Sequence, residues 1–208
     1  MLTTANLGGV TTEATPTAAP PPTRREQILA TAAELFAARG FHGVSVADLG
    51  AACGISGPAL YKHFVSKDAV LAEMLVSISQ ELLNVGEQRV ARAGGPVAAI
   101  GALVDWHVDF ALRHRPLIVV QDRDWQSLPI EARERVRSLQ REYVDLWAGQ
   151  LRLVHGELDQ DGARAMAHAA FGLINSTPHS GLLPDVPMHD LLRQMALGAL
   201  GLADPQAG

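Results

Sequence analysis

Lys62 and Lys67 are the only lysines in the chain, and they sit together in Tyr61-Lys62-His63-Phe64-Val65-Ser66-Lys67-Asp68. A phenol, an imidazole and two ammonium groups in one short segment supply hydrogen-bond donors and positive charge, the chemistry that holds phosphate. Thr23, Ser45, Ser56 and Ser66 each precede a stretch of helical pattern. Each can therefore cap a helix amino-terminus, where unpaired amides and the helix dipole favour an anion. A second group of residues has a different chemistry. Trp106, Phe110, Trp125, Tyr143, Trp147 and Phe171 could line an apolar cavity, with His107, Asn175 and His179 as polar anchors. Aromatic residues at helical spacing are more often core than ligand contacts, and His107, on the face of Ile100 and Val104, reads first as a satisfied buried histidine. Asn175-Ser176-Thr177-Pro178-His179-Ser180 is a better candidate for a pocket wall, because Pro178 must interrupt its helix and free backbone polar groups.

The elements that would position the lysines follow from local signals. Thr23 with Glu26 is a capping box and opens a helix over about 24–39, with Ile28, Leu29, Ala32, Leu35 and Phe36 on one face and Gly40 at the stop. Ser45 with Asp48 starts a second, short helix whose Val46, Leu49, Ala52 and Cys53 are expected to face inward. Gly54 supplies the positive backbone angle of a tight turn, and Ser56 caps a third helix over about 57–63. Two short helices across a glycine turn form a helix-turn-helix. Ser66 then opens a long helix to about residue 92, with Val70, Met74, Ile78, Leu82 and Val85 on its apolar face.

In this stretch the chain resembles the amino-terminal domain of the tetracycline-repressor (TetR) family of regulators. The resemblance covers about Arg25 to Leu75. It rests on Phe36-Ala37-Ala38-Arg39-Gly40-Phe41, Val44-Ser45-Val46-Ala47-Asp48-Leu49, Cys53-Gly54-Ile55-Ser56, Tyr61-Lys62-His63-Phe64 and Ser66-Lys67-Asp68-Ala69-Val70-Leu71. Gly50 departs from the small residue such as Ala that is usual there. The resemblance implies that the third helix enters the major groove of double-stranded DNA. Ser56, Gly57, Ala59, Tyr61, Lys62 and His63 would lie near the groove and backbone, Tyr61 and Lys67 would hold phosphate, and Thr23 and Ser45 would add helix termini. Gly57, Pro58 and Ala59 bring few hydrogen-bonding groups, so direct base readout is expected to be modest.

Composition is compatible with that reading. The net charge of −5 is unfavourable for coating nucleic acid, yet in residues 24–70 Arg24, Arg25, Arg39, Lys62 and Lys67 face only Glu26, Glu34, Asp48 and Asp68. Screening makes this local balance the relevant one, since phosphate attraction fades over roughly 10 Å. A single cysteine, Cys53, excludes a disulfide framework or cysteine zinc cluster and implies a reducing, cytoplasmic setting. Uninterrupted apolar runs fall short of the roughly 18 residues of a membrane span, so no membrane partner is expected. Residues 1–22, with Pro20-Pro21-Pro22, read as a disordered tail rather than a signal peptide, and 204–208 as a short tail.

The rest of the chain is helical in pattern. Prolines punctuate it: Pro96 opens a helix over about 96–113, Pro116 one to about 126, and Pro129 one to about 155. Asp159 or Asp161 caps a helix to about 175, a loop covers 176–187, and a last helix covers about 188–202. The fold class expected is all-α with about nine helices. A helix-turn-helix domain over 23–70 is followed, through a connecting helix over about 66–92, by an effector-binding and dimerisation domain over 93–203. By resemblance the last two helices pair with those of a second copy, and Met166, Ala170, Leu191, Leu192, Met195 and Ala199 are the interface candidates. The partners expected are a palindromic operator, with half-sites about 34 Å apart or a multiple of it, a second copy, and a small organic effector. By analogy with related regulators the effector is an acyl thioester or another hydrophobic molecule. Histidines His107, His114, His168 and His179 lack compact ligand spacing, so no metal or cofactor is expected. Hydrolase, phosphate-loop and dinucleotide motifs are missing from the sequence as well, which leaves a helical enzyme or adaptor carrying a helix-turn-helix as the alternative class.

Overall fold

The computed structural model describes residues 21–180 and 182–202; the two tails read from the sequence fall almost wholly outside them. Among the described residues there are nine α-helices and no strand. They are α1 (Arg24–Arg39), α2 (Val46–Ala52), α3 (Gly57–Leu60), α4 (Lys67–Arg92), α5 (Pro96–Arg113), α6 (Arg115–Asp124), α7 (Ile130–Val154), α8 (Gln160–Ile174) and α9 (Asp185–Ala199). Two single 3-10 turns, Trp125–Ser127 and Thr177–His179, follow α6 and α8.

The caps work as their residue types dictate. At Thr23, Glu26 Oε2 accepts from the cap amide at 2.6 Å while the Thr23 hydroxyl accepts from the Glu26 amide. Ser45 and Asp48 make the same reciprocal pair, with the Ser45 amide 2.8 Å from Asp48 Oδ2, so the shorter Asp side chain still completes the box. Gly40 takes φ 78°, ψ 154°, a positive-φ conformation that L side chains rarely adopt, while its amide closes α1 on the Phe36 carbonyl at 2.8 Å.

Three elements differ from the sequence reading. α3 ends at Leu60, and Tyr61 to His63 form turns rather than helix. Within α2, Leu49 and Gly50 are buried but Ala52 is exposed, because a seven-residue helix offers its inner face to only two or three positions. The last helix starts at Asp185, three residues early, with Pro187 inside its first turn. The amide that proline lacks is one of those with no intrahelical partner there, so the helix tolerates it.

Helix α4 spans two hydrophobic cores. Its first half buries Val70, Leu71, Met74 and Leu75 with Ile28, Phe36, Leu49, Leu60 and Phe64 of the head. Its second half adds Leu83 to the body core of α5, α7, α8 and α9, which includes Ile100, Leu103, Leu139, Trp147 and Leu151. By length and composition α4 could also cross a membrane, but its buried apolar positions mark it as the shared core helix of the two units. The head core is not closed by α1 to α4 alone: Val120 of α6, Leu128 in the link before α7, and Val136 of α7 complete it. The body is thereby bolted to the head along α6.

Candidate nucleic-acid interface and effector cavity

On the head, the turn after α3 presents Tyr61, 54% exposed, and Lys62, also exposed, side by side, with His63 half-buried. Beneath them Phe64 is core. Glycine allows the tight bend that presents this corner. A Cβ at Gly50 would stand 2.9 Å from the Ile55 carbonyl oxygen and 3.0 Å from the Gly57 amide nitrogen, so only the bare α2 backbone fits against the turn. Gly54, at φ 67°, supplies the reversal itself. Ser56 and Ser66 cap α3 and α4 by accepting from the amides of Ala59 and Ala69, at 3.3 and 3.0 Å.

Lys67 is not a free cation at the surface. Its ammonium donates to the carbonyls of Phe41 and Val44, at 2.7 and 2.8 Å, and stands 4.2 Å from the Phe41 ring centroid. Two of its three donors thus brace the α1–α2 turn, which leaves one for a phosphate. Arginines the sequence reading left unassigned act in the same way. Arg24 donates to the Cys53 carbonyl. Arg25 donates to the His63 carbonyl, pairs with Glu73 through both terminal oxygens and lies 4.1 Å from the Phe64 centroid. The Glu73 contact raises the Arg25 pKa above its ordinary value. Arg123 of α6 donates to the Phe36 and Ala37 carbonyls, tying the body to the end of α1. No spacing rule could have found these, because each joins residues distant in sequence.

In the body, a cavity of about 320 Å³ lies between α4, α5, α6, α7 and α8. Of the sequence candidates it gathers His107, Phe110, Tyr143, Phe171 and Asn175. His107 and Tyr143 both stack on Phe171, at 4.6 and 5.4 Å between centroids. His107 Nε2 is 3.2 Å from Asn175 Oδ1, and Nδ1 is buried with no partner among the described residues. Burial lowers the His107 pKa from 6.5 to about 4, against the smaller opposing effect of the Asn175 contact, so the imidazole is uncharged at neutral pH. Burial raises the Tyr143 pKa, against the smaller opposing effect of the neighbouring Trp147 side chain. Gly86 of α4 lets this ring approach: a Cβ there would stand 2.8 Å from Tyr143 Cε2.

The other four candidates lie elsewhere. Trp106 donates from Nε1 to the Leu82 carbonyl at 3.0 Å and packs against Phe110 in a separate small cluster, its ring flanked by Arg89 and Arg113. Trp125 packs against the head core under Arg137, Trp147 is wholly buried behind Phe171, and His179 is exposed. Gln121, Asp122, Gln140 and His168 line the cavity and were not among the sequence candidates for ligand binding. They sit on polar helix faces, which read as solvated until α6, α7 and α8 are placed around an opening.

Of the interface candidates, Leu191 and Met195 are 40% and 50% exposed, Ala199 is exposed and Met166 is half-buried. Ala170 and Leu192 are core residues of the protomer, at 0% and 4% exposure. The exposed stripe on α8 is instead Ala165, His168, Ala169 and Gly172, one position round the helix. Among the described residues no group of three or more His, Cys, Asp or Glu comes together as metal ligands.

Two sequence families match the chain: bacterial regulatory proteins of the tetR family over residues 28–74, and the tetracyclin repressor-like C-terminal domain over residues 93–179. The HTH-type transcriptional repressor KstR2 of Rhodococcus jostii (strain RHA1) is 31% identical over 129 residues, which cover 62% of this chain and 63% of that protein. The match therefore spans a little under two thirds of that relative's length. Among solved structures, the TetR family transcriptional regulator PfmR from Thermus thermophilus has a TM-score of 0.75 at 25% identity, covering 88% of this chain and 98% of that one. The transcriptional regulator FadR from Bacillus subtilis, in complex with stearoyl-CoA, has a TM-score of 0.66 at 16% identity, covering 83% and 97%, a likeness of fold. From the capped helix-turn-helix through the cavity-bearing helical body, the chain belongs to the tetracycline-repressor family of bacterial transcriptional regulators.

Proposed function

We propose that the protein is a homodimeric, cytoplasmic repressor that leaves a palindromic operator when a small organic effector enters the body cavity, and that it is not an enzyme. The observation that carries this reading is the exposed Tyr61–Lys62 corner on a head whose Arg24, Arg25 and Lys67 are tied to its own backbone. Such a corner can meet phosphate without the head reorganising, and the amino-terminus of α3 lies beside it for the groove. The domain division offered is a head over 23–70, the connecting helix, and a body over 93–203, a division that the two family matches support.

A second copy is supported by the adjacent exposed stripes of α8, with Ala165, Ala169 and Gly172, and of α9, with Leu191, Met195 and Ala199. Small residues allow two such helix pairs to pack closely, and two heads are what a two-fold operator requires. Coupling follows the route of α6. Leu117, Ile118, Gln121 and Asp122 line the cavity, while Val120 enters the head core and Arg123 holds the end of α1. An effector that shifts α6 would carry the head out of register with its partner, and bound DNA would weaken the effector by the same factor. An apolar body for the effector is supported by Ile78, Leu82, Leu139 and Val144 in the lining.

The test is selection of binding sites from a random duplex pool, followed by titration of the winners against scrambled duplex at several salt concentrations. A two-fold symmetric sequence preferred by a factor of about 10³ or more is expected. Equal affinity for scrambled duplex at every salt concentration would sink the reading and favour the adaptor alternative.

A further inference from the structure

The cavity lining is lopsided in charge. Among the described residues around it there is no lysine or arginine, and the side chain carrying a formal charge is Asp122, exposed on α6. Two histidines also line it, His168 at the exposed rim and His107, which contributes no counter-charge because burial keeps it neutral. Arg89 of α4, over the Trp106 ring, acts on Tyr143 electrostatically, while several other arginines on the flanking helices are held by other groups. Arg115 donates to Asp185 at 2.8 Å, and Arg123 to the α1 carbonyls. Arg133 donates to the Gln126 and Leu128 carbonyls, and Arg135 to Gln80 at 2.7 Å. Arg137 lies over Trp125, and Arg164 binds both oxygens of Asp145. An anionic group drawn into this opening would lose water, meet a carboxylate and find no lysine or arginine in the described lining. A neutral polar end meets Gln121, Gln140 and Asn175 without that penalty, and an ammonium would gain Asp122.

We propose that the cavity selects uncharged or singly cationic amphiphiles, with the apolar body among Ile78, Leu82, Leu117, Ile118 and Leu139 and the polar end at Asp122, and rejects anions, acyl coenzyme A included. This rests on the cavity being the effector site, as proposed above, and separates the two effector classes that the sequence leaves open. The structural neighbour crystallised with stearoyl-CoA shares this fold at 16% identity, a level at which the charges of its lining do not carry over.

The experiment uses the full chain and four probes that share one alkyl body: decylamine, 1-decanol, decanoate and decanoyl coenzyme A. Each is titrated below its micelle concentration while tryptophan fluorescence is followed. Decylamine and decanol are expected to bind at least roughly tenfold more tightly than decanoate or decanoyl coenzyme A. Asp122→Asn should bring decylamine level with decanol and narrow the gap to decanoate; Gln121→Glu should widen it. A cavity-filling Val144→Trp variant should weaken all four. Tightest binding by decanoate or decanoyl coenzyme A would overturn the charge rule while leaving the effector site standing, and so would an amine preference unmoved by either rim variant. Binding of none of the four, or binding indifferent to Val144→Trp, would overturn the site and the rule together.

Discussion

The head and the cavity treat their polar groups in opposite ways. In the head three of the five lysines and arginines of residues 24–70 have partners in the chain itself: Lys67 holds two carbonyls, Arg24 one, and Arg25 a carbonyl and a carboxylate. Around the cavity, His107 Nδ1 is buried with no partner among the described residues, and the buried Tyr143 hydroxyl and Trp147 Nε1 have at most each other. A surface that must arrive at DNA in one shape is best made by satisfying its donors beforehand. A pocket that must respond to a ligand tolerates unsatisfied groups, at a cost in stability of about 1–3 kcal/mol for each neutral one. The contrast teaches where rigidity and responsiveness reside in this molecule.

The largest test of the contrast is Gly50→Val. The new side chain would meet the Ile55 carbonyl at 2.9 Å or less, and the head should lose about 3 kcal/mol or more, together with specific DNA binding, measurable by urea denaturation and by titration of the selected duplex. A head that keeps its stability would show that the turn is less tightly determined than the packing implies.

On the cavity side the comparable effect is set by pH. The His107 pKa falls from 6.5 in the unfolded chain to about 4 in the fold. Between those values the unfolded state takes up a proton and the folded state does not. The stability of the neutral histidine is therefore full above about 6.5 and lost as the pH falls towards about 4, by roughly 3 kcal/mol across that window. Urea denaturation of His107→Phe over the same range should lack this component; an unchanged pH slope in the variant would put the titration elsewhere.

Lys67→Met should cost about 2 kcal/mol, since it removes two hydrogen bonds and leaves two carbonyls to find water. Its DNA affinity should fall mainly through loss of head order. If instead the salt dependence flattens by about one unit with stability unchanged, Lys67 spends its charge on phosphate and the bracing role is minor. The smallest stability effect belongs to Lys62→Ala: within about 0.5 kcal/mol by denaturation, yet a salt slope reduced by about one unit. The pair of lysines, five residues apart, would thus separate bracing from phosphate contact.

Much of the fold was legible before packing was known. Thr23–Glu26, Ser45–Asp48 and Ser66 marked helix starts correctly, because a cap is a contract between residues three apart and needs nothing else. The start of α9 was less readable: the expected loop to 187 ends at Pro184, which precedes a helix from Asp185 with Pro187 in its first turn. In the cavity, spacing along α5 and α7 found His107, Phe110 and Tyr143 but could not separate them from Trp106 and Trp147. A helix face wide enough to be apolar touches both a cavity and the core behind it. Which residue touches which depends on how the helices cross.

By itself the chain of residues determined the nine helices of the described residues, the glycine bend at Gly54 and the exposed candidates Tyr61 and Lys62, because helix capping, helical periodicity and positive backbone angles are decided within a few neighbours. Tertiary structure alone decided that Lys67 faces two carbonyls, that Arg123 joins α6 to α1, and that Asp122 stands beside a cavity with no lysine or arginine among its described lining. These are meetings between atoms tens of residues apart. Their energies depend on distances and burial that only the packed helices create.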